Sequence, residues 1–256
     1  MSEVRIVAAD GVLTATLADV ENRNALGAGV VNGLHDALEK ANRDPEIRAL
    51  VVTNEGNTFC AGANLKQRSG AATEVQPKVS FDELLAEIQQ SPTPTVGKIR
   101  GHVVGGGNGL ASALDIAIAK DDVKFGFTEV RLGVAPAIIS VVCLPKMRRG
   151  EALEAFLRGN RFSASRAAQL GLISRAVPED KLDAAVEEVL ADLRLGGPNA
   201  VAAAKRLVYE VPAMESKDAF AWTANLSERL FKSDEAAAGM QAFLAREKPP
   251  WVPPER

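Results

Sequence analysis

Two short stretches are the most informative part of the sequence: FCAGANLK at residues 59–66 and GGGNG at residues 105–109. In both, small residues leave backbone N–H groups uncovered, because any larger side chain would keep a bound molecule away from the backbone. Two such N–H groups aimed at one point stabilise the negative charge that develops on a carbonyl oxygen. Each stretch alone is also typical of a plain strand-to-helix turn, so the interpretation depends on the rest of the chain.

Composition excludes several classes of protein. The chain has 256 residues, of which 46% are hydrophobic and 25% charged, as in an ordinary globular protein. A net charge of −3 gives no reason to expect a nucleic acid or an anionic membrane as partner. Cys60 and Cys143 lack the spacing of metal ligands, so we expect no metal site and interpret both as small buried residues. The chain start shows no signal peptide, and no apolar run is long enough to cross a membrane, which predicts a cytoplasmic protein.

Strand and helix patterns alternate over the first two-thirds of the chain. Asp10 and Gly11 predict a hairpin between strands at residues 4–8 and 12–17, and apolar spacing predicts a helix over 30–41. Further strands are predicted at 49–53, 58–61, 95–99, 116–119, 123–127 and 173–177, and a loop at 69–80. Helices are predicted around 84–88 and at 105–114, 136–148, 151–157 and 163–171, and beyond Pro178 at 181–195, 199–209, 217–231 and 234–246. The pattern indicates an α/β core followed by an α-helical tail.

Other motifs flank the two glycine-containing stretches in a fixed order. They are NRNAL at 22–26, FGFTEVRLGVAP at 125–136, GNRFSA at 159–164, AQLGLI at 168–173 and MQAF at 240–243. Over nearly the whole chain, this ordered set resembles the enoyl-CoA hydratase/isomerase superfamily, also called the crotonase superfamily. The resemblance implies a spiral of β-β-α units that binds acyl-CoA at residues 1–195. It also implies a helical region at 196–256 that assembles homotrimers, often stacked as hexamers.

The resemblance also implies catalytic groups. The backbone N–H groups of Ala63 and Gly106 would form the oxyanion hole. Gly106 lies at a predicted helix N-terminus, where N–H groups are unpaired and the helix dipole favours negative charge. Glu129 would be the acid/base, because proton transfer at an α carbon requires a carboxyl group whose pKa is raised by apolar surroundings.

The apolar surroundings of Glu129 are expected from Phe125, Phe127 and Val130. The alternative is a surface ion pair between Glu129 and Arg131, two residues along the same strand face.

The implied contacts with substrate and CoA form a longer set. They are Arg23, Ala25, Ala61, Gly62, Asn64, Leu65, Lys66, Gly105 and Asn108, with Phe243 and Lys248 reaching the CoA of a neighbouring subunit. Lys66 would neutralise a CoA phosphate, although a solvated surface charge explains it equally well. Phe81, Leu84, Leu85 and Ile88 either line an acyl pocket or form part of the core. The resemblance implies no cofactor, since coenzyme A is part of the substrate.

Three departures from the family pattern bear on the reaction. Gly109 stands where typical hydratases carry a second glutamate that holds and activates water, and Asn64 stands where an aspartate is usual. PAIIS at 136–140 replaces a glycine-rich helix start. The combination of GGGNGL at 105–110 with TEVRLGVAPAIIS at 128–140 looks like bacterial methylglutaconyl-CoA hydratase-like members acting on branched acyl-CoAs, in which Arg131 would face a distal substrate carboxylate.

Four functions follow from these residues. We expect a hydratase-type lyase that adds water to a 2-enoyl-CoA, with water held by groups such as Asn108. The alternatives are a 3-enoyl-CoA/2-enoyl-CoA isomerase that needs one glutamate and a non-catalytic acyl-CoA-binding protein. Thioester hydrolysis ranks lower, because a water-activating carboxylate is what the chain lacks.

Overall fold

The structure is a computed structural model, and it describes residues 3–65 and 76–252. Strands β1 (Val4–Ala9) and β2 (Val12–Leu17) form an antiparallel hairpin. Asp10 and Gly11 connect them with φ angles of 49° and 74°, the left-handed conformation that a two-residue hairpin turn of this kind requires. The hairpin prediction is confirmed.

The remaining strands form two sheets. They are β3 (Ala49–Asn54), β4 (Thr58–Cys60), β5 (Thr95–Ile99), β6 (His102–Val104), β7 (Ile116–Lys120), β8 (Lys124–Gly126), β9 (Arg161–Ser163) and β10 (Arg175–Val177). The first sheet has the order β1-β2-β3-β5-β7-β10 and is parallel beyond the hairpin. The second has the order β4-β6-β8-β9, with only the β8–β9 pair antiparallel in the described chain.

Beyond the β1–β2 hairpin, the next three pairs of strands have one strand in each sheet, and a helix follows each pair. The helices of this part are α1 (Ala28–Arg43), α2 (Phe81–Gln90), α3 (Gly106–Ala113), α4 (Ala137–Cys143), α5 (Arg149–Arg158), α6 (Ala164–Gln169) and α7 (Glu179–Leu195). The described chain runs β3-β4-α2, then β5-β6-α3, then β7-β8-α4. This is the predicted spiral of β-β-α units, and the expected α/β fold is confirmed.

The central strands of the first sheet are buried on both faces. Val51 and Ile118 pack against Leu182 of α7 on one face, whereas Leu50 belongs with Leu34 of α1 to the larger core on the other. Parallel strands covered on both sides appear in sequence as continuous apolar runs rather than alternating ones. This explains why the sequence predicts β3, β5 and β7 to within one residue.

Some predicted boundaries are wrong. The helix predicted over 136–148 ends at Cys143 and is followed by a 3₁₀ turn, Leu144–Lys146, because Pro145 lacks the N–H that a continuing helix needs. Residues 129–132 form another 3₁₀ turn, Glu129–Leu132, so the argument that Glu129 and Arg131 share a strand face does not apply. Strand β9 has three residues and was not predicted.

The helical tail is formed by α8 (Pro198–Glu210), a 3₁₀ turn (Val211–Ala213), α9 (Ser216–Phe231) and α10 (Asp234–Ala245). Phe220, Phe231, Phe243 and Leu244 are all more than two-thirds exposed on these helices. Whether residues 196–256 serve assembly stays a prediction. In the part of the chain that the structure describes, no helix is long and apolar enough to cross a membrane.

Candidate active site

The two glycine-containing stretches lie against each other. A Cβ added to Gly62 would lie 2.8 Å from the backbone N of Gly106 and 2.9 Å from the carbonyl O of Val104. A Cβ added to Gly106 would lie 3.4 Å from the Cα of Gly62. The φ of Gly62 is 85°, which residues with a side chain rarely adopt. Glycine is therefore what permits the two backbones to touch.

This contact leaves two backbone N–H groups without a partner. Among the described residues, neither the N–H of Ala63 nor that of Gly106 has a hydrogen-bond acceptor. Leu26 pairs with the Ala63 stretch by donating from its N–H to the carbonyl O of Gly62 at 2.8 Å. Gly106 is the first residue of α3, where the helix itself offers no acceptor. Both N–H groups belong to residues that line one cavity.

The cavity has a volume of about 440 Å³, within the range of small-molecule sites. Glu129 is the only ionisable side chain among its described lining residues. The others are Leu26, Ala61, Ala63, Leu65, Phe81, Gly105, Gly106, Thr128, Leu132, Val134, Ala135, Pro136, Ala137, Ile138 and Ile139. The lining suits an apolar group carrying one carbonyl.

Glu129 faces the glycine loop. Its Oε1 atom would lie 3.5 Å from a Cβ on Gly105, and its Oε2 atom is buried without a hydrogen-bond partner among the described residues. Burial away from water raises the pKa of Glu129 above the ordinary carboxyl value, although a backbone hydrogen bond lowers it in part. A carboxyl group with these properties beside two free N–H groups has the features of a general acid/base.

The apolar surroundings of Glu129 differ from those expected. Phe125 and Phe127 are fully buried in the core, where Phe127 packs against Phe156 with ring centroids 4.4 Å apart. The apolar neighbours of Glu129 come from the cavity lining instead. Arg131 does not line this cavity; its Nη2 atom lies 3.5 Å from the carbonyl O of Arg158. The structure therefore gives no support to an ion pair between Glu129 and Arg131.

The place of the second family glutamate is filled by another side chain. A Cβ added to Gly109 would lie 2.8 Å from the Cβ of Ile139 on α4, and closer still to its Cγ2. No larger residue fits at Gly109 unless Ile139 moves. Sequence reasoning did not predict this contact, although Ile139 lies in the PAIIS segment where the family usually has glycines.

A second cavity of about 660 Å³ adjoins the first and shares Ala61, Ala63 and Leu65 with it. Three more of the predicted CoA contacts line it, namely Arg23, Ala25 and Asn64. Arg161 of β9 also lines it and was missed as a site residue, although it stands within the GNRFSA motif. The two arginines supply positive charge of the kind that a phosphate requires, and Glu21 is the one acidic residue in the described lining.

Local hydrogen bonds fix the NRNAL segment (residues 22–26), which forms one side of the second cavity. Arg23 and Asn24 have φ angles of 56° and 52°, and the carbonyl O of Arg23 accepts from the N–H of Ala61 at 3.1 Å. The buried Asn24 amide donates to the carbonyl O of Thr58 at 2.7 Å and to that of Glu55 at 3.2 Å. These bonds fix the NRNAL segment beside the strand that leads into the Ala61–Asn64 loop.

Several predicted site residues lie away from the two cavities. Asn108 is 1% exposed, so it does not contact a substrate, and Phe243 is 83% exposed on α10. Lys248 follows α10 and lines neither cavity, and Lys66 lies outside the described residues. Leu84, Leu85 and Ile88 are core residues, whereas Phe81 lines the first cavity.

Nucleophilic and metal chemistry find no support at this site. Burial raises the pKa of the Cys60 thiol to about 12, so it is not a thiolate at neutral pH. The described residues contain no group of three His, Cys, Asp or Glu side chains placed as metal ligands. Among the described residues that line the first cavity, Glu129 carries the one side chain that can take up and release a proton in an acid/base role.

Comparison with known proteins identifies the family of the chain. The chain matches the enoyl-CoA hydratase/isomerase family over residues 8–254. The chain belongs to this family. The enoyl-CoA hydratase EchA19 of Mycobacterium tuberculosis is 29% identical over 237 residues, covering 89% of this chain and 88% of the relative. Family members with such names are enzymes, and this protein is an enzyme of the hydratase/isomerase family.

Solved structures of the family share the fold over almost the full length. An enoyl-CoA hydratase/isomerase from Marinobacter aquaeolei superposes with a TM-score of 0.90 at 26% identity, covering 99% of this chain and 100% of the other. AtuE of Pseudomonas aeruginosa gives a TM-score of 0.89 at 31% identity, covering 98% of this chain and 100% of the other. The glycine-lined cavity therefore lies in a crotonase fold.

Proposed function

We propose that this protein transfers a proton at the α carbon (C2) of an enoyl-CoA thioester and that the net reaction is hydration of a 2-enoyl-CoA. One observation carries the proposal. The half-buried carboxyl group of Glu129, whose Oε2 atom has no partner among the described residues, and the N–H groups of Ala63 and Gly106 lie at one apolar cavity. A thioester fits this set, because its carbonyl oxygen needs two donors and its α carbon needs one acid/base.

The two N–H groups act on the thioester oxygen. When a nucleophile adds at C3, or a proton leaves C2, the electron pair moves onto this oxygen and forms an enolate. Ala63 and Gly106 donate to that oxygen in a site with few other polar groups, where each donor is worth more than it would be in water. Removing one such donor typically slows a reaction by roughly 10²–10³-fold.

Glu129 moves the proton. In hydration, a water oxygen forms a bond to C3 while the Glu129 carboxylate takes a proton from that water. The enolate then collapses, and C2 receives a proton from the Glu129 carboxyl group, which returns to its starting form. A single carboxyl group suffices for both steps when it faces C2 and C3 from one side, and Glu129 faces the glycine loop from one side of the cavity.

A second candidate is isomerisation of a 3-enoyl-CoA to a 2-enoyl-CoA. The contact between Gly109 and Ile139 favours it, because Ile139 occupies the place where a water-activating second glutamate would stand. In this reaction Glu129 takes a proton from C2 and returns it to C4, and no water is required.

The CoA part fits the second cavity, with Arg23 and Arg161 near its phosphates. The apolar first cavity suits an aliphatic or branched acyl group, and no cation among its described lining residues would match a distal carboxylate. The mechanism requires no metal or redox cofactor. We also propose assembly as a homotrimer or hexamer through the tail, where Phe220, Phe231 and Phe243 are exposed.

A product assay in D₂O separates the candidates. Crotonyl-CoA, 3-methylglutaconyl-CoA and 3-hexenoyl-CoA are incubated with the wild type and with Glu129→Gln, and the products are identified by mass spectrometry. A 3-hydroxyacyl-CoA that Glu129→Gln does not form supports hydration, and its yield from each substrate ranks the acyl groups. Double-bond migration without added water supports isomerisation. Tight acyl-CoA binding with no turnover by the wild type would leave a non-catalytic binding protein and contradict both.

A further inference from the structure

We infer that Asn108 is a positioning residue that orients the Gly106 N–H donor and joins the glycine loop to the strand before Glu129. The inference rests on the proposed function, because it concerns the oxyanion hole. It assigns to Asn108 a role other than the substrate contact that the sequence predicts. The side chain is 1% exposed and lines neither cavity, so it acts through the backbone.

The amide of Asn108 fixes one peptide plane. Its Nδ2 atom donates to the carbonyl O of Gly105 at 3.1 Å, and its backbone N–H donates to the same oxygen at 2.9 Å. That carbonyl and the N–H of Gly106 belong to one peptide group, which is planar and trans, so they point in opposite directions. Holding the oxygen toward the interior therefore points the Gly106 N–H toward the cavity.

The peptide needs such a restraint because of the residues around it. Gly105 has φ 55° and ψ −127°, and glycine passes between conformations more readily than any other residue. Without a second donor on the Gly105 oxygen, the peptide plane is held less firmly. Donation to this oxygen also polarises the peptide group, which makes its N–H a stronger donor.

The same amide reaches the strand that leads to Glu129. Its Nδ2 atom also donates to the carbonyl O of Gly126 at 2.9 Å, and the N–H of Gly105 donates to that oxygen at 2.9 Å. Gly126 is the last residue of β8, three residues before Glu129. One side chain thus holds together the peptide of an oxyanion donor and the end of the strand that carries the acid/base.

The unpartnered oxygen of the Asn108 amide also supports a positioning role. Two carbonyl acceptors fix which end of the amide faces them, and the Oδ1 atom is left buried with no partner among the described residues. A buried acceptor without a donor is unfavourable, and an apolar side chain would avoid it. The chain therefore retains a side chain whose NH₂ group is used and whose oxygen is not, as expected where the two donated bonds matter.

Asn108→Leu tests the inference, with Ser112→Ala as its control. After Asn108→Leu each carbonyl keeps one backbone donor, from Asn108 N–H to Gly105 and from Gly105 N–H to Gly126, so the fold is expected to persist. Ser112 lies one turn along the same helix and is also fully buried. Where Asn108→Leu does not fold, the smaller Asn108→Ala carries the same test.

Two readouts distinguish positioning from packing. The first is the separation of kcat from KM with the best substrate. The second is the absorption of bound 4-(dimethylamino)cinnamoyl-CoA, a chromophoric thioester whose band moves to longer wavelength as its carbonyl is polarised. We expect Asn108→Leu to lower kcat by about 10–100-fold, less than full loss of a donor, with KM changed less than about threefold. Its red shift should be smaller than that of the wild type, whereas Ser112→Ala should match the wild type in both.

The outcomes separate this inference from the function on which it rests. If Asn108→Leu keeps both the red shift and the kcat of the wild type, the positioning role is overturned. A rise in the KM of this variant with its kcat unchanged would overturn it as well. A wild type that binds the chromophore without any red shift would instead contradict the oxyanion hole itself. The second readout needs no turnover, so it holds for hydration and isomerisation alike.

Discussion

Two carboxyl groups in this molecule lie in opposite surroundings. Asp115, next to the first sheet, accepts from the N–H of Thr95 at 2.8 Å, from its hydroxyl at 3.0 Å and from the Lys205 ammonium at 2.8 Å. The Tyr209 hydroxyl lies 3.5 Å from its second oxygen. Glu129, beside the glycine loop, is also partly buried, yet its Oε2 atom has no partner among the described residues.

The difference suggests that one carboxyl group stabilises the fold and that the other is placed to act on a bound molecule. The hydrogen bonds and the ion pair of Asp115 join α8 to the sheet. Because the carboxylate oxygens of Asp115 are satisfied within the fold, they have little capacity left to bind a ligand. At the cavity, the Oε2 atom of Glu129 and the N–H groups of Ala63 and Gly106 have no partner among the described residues. Unsatisfied buried polar groups lower stability, and they persist where a bound molecule uses them. The contrast predicts opposite consequences for changes at the two places.

The largest effect is expected on catalysis at Glu129. Glu129→Gln keeps the size of the side chain and removes its ability to accept and return a proton. We expect kcat to fall by about 10²–10⁴-fold, the usual contribution of a general acid/base. Steady-state kinetics with the best substrate measures it, beside Glu154→Gln on α5, which alters an exposed ion pair with Arg158. A variant that keeps more than a tenth of wild-type kcat would remove Glu129 from the mechanism.

The next effect is expected on stability at Lys205. Its ammonium group is largely buried, pairs with Asp115 and donates to the carbonyl O of Ile88 at 2.8 Å. Lys205→Met removes one partner of the pair, and we expect the free energy of unfolding to fall by about 3–5 kcal/mol. Denaturant unfolding at one fixed protein concentration measures it.

The matched control is Lys232→Met, which alters an exposed pair with Glu228 at the C-terminal end of α9. Exposed pairs contribute little to stability, so this variant should unfold close to the wild type. Equal behaviour of the two variants would mean that the Asp115 contacts do not hold the tail to the core.

A smaller effect on the free energy of unfolding is expected for a change at Gly109. Gly109→Ala forces a Cβ against Ile139, and overpacking of this kind lowers the free energy of unfolding by about 1–3 kcal/mol. Gly150→Ala in α5 is the control, because a Cβ there has nothing within 4 Å and alanine favours a helix. Unfolding of Gly109→Ala at the wild-type midpoint would show that room for a larger residue exists beside Ile139.

The smallest effect is a change in stability with pH at Glu129. Because burial raises the folded-state pKa of this group, its contribution is full below the unfolded pKa and is lost as pH rises through the folded pKa. Glu129→Gln should therefore be more stable than the wild type at pH 7, with the difference vanishing below about pH 4, near the ordinary glutamate value.

The variant Asp115→Asn is expected to change stability at pH 7 in the opposite direction to Glu129→Gln. It leaves the Lys205 ammonium buried without its charged partner, so the variant should be less stable than the wild type at pH 7. Thermal unfolding across pH 4–8 measures both variants. A Glu129→Gln variant less stable than the wild type at neutral pH would show that the Glu129 carboxyl group is held by contacts that stabilise it.

Local signals made much of the fold predictable. Asp10 and Gly11 predict the turn, and apolar runs predict the buried strands. The order of motifs in the sequence is enough to single out the two glycine-containing stretches and Glu129, and the fold brings them to one cavity. Their catalytic roles remain predictions.

Contacts between distant residues were not predictable. Ile139 fills the space beside Gly109, thirty positions earlier, and neither residue alone signals the other. Asn108 stands within the glycine stretch, where exposure to substrate was the simpler interpretation, yet the helix turns it into the interior. Phe125 and Phe127 closely precede Glu129 in sequence, but both side chains are buried in the core. Burial of this kind depends on tertiary packing rather than on local pattern.

The role of Glu129 is tested most directly by the pH dependence of deuterium incorporation at C2 of a bound enoyl-CoA, followed by mass spectrometry for the wild type and Glu129→Gln. If Glu129 moves the proton, the wild-type rate falls on the acid side with an apparent pKa above the ordinary glutamate value, because burial raises the pKa of this group. Exchange in the variant is then slowed at every pH and shows no such fall. An acid limb that persists in Glu129→Gln, at an undiminished rate, would contradict the claim that Glu129 moves the proton.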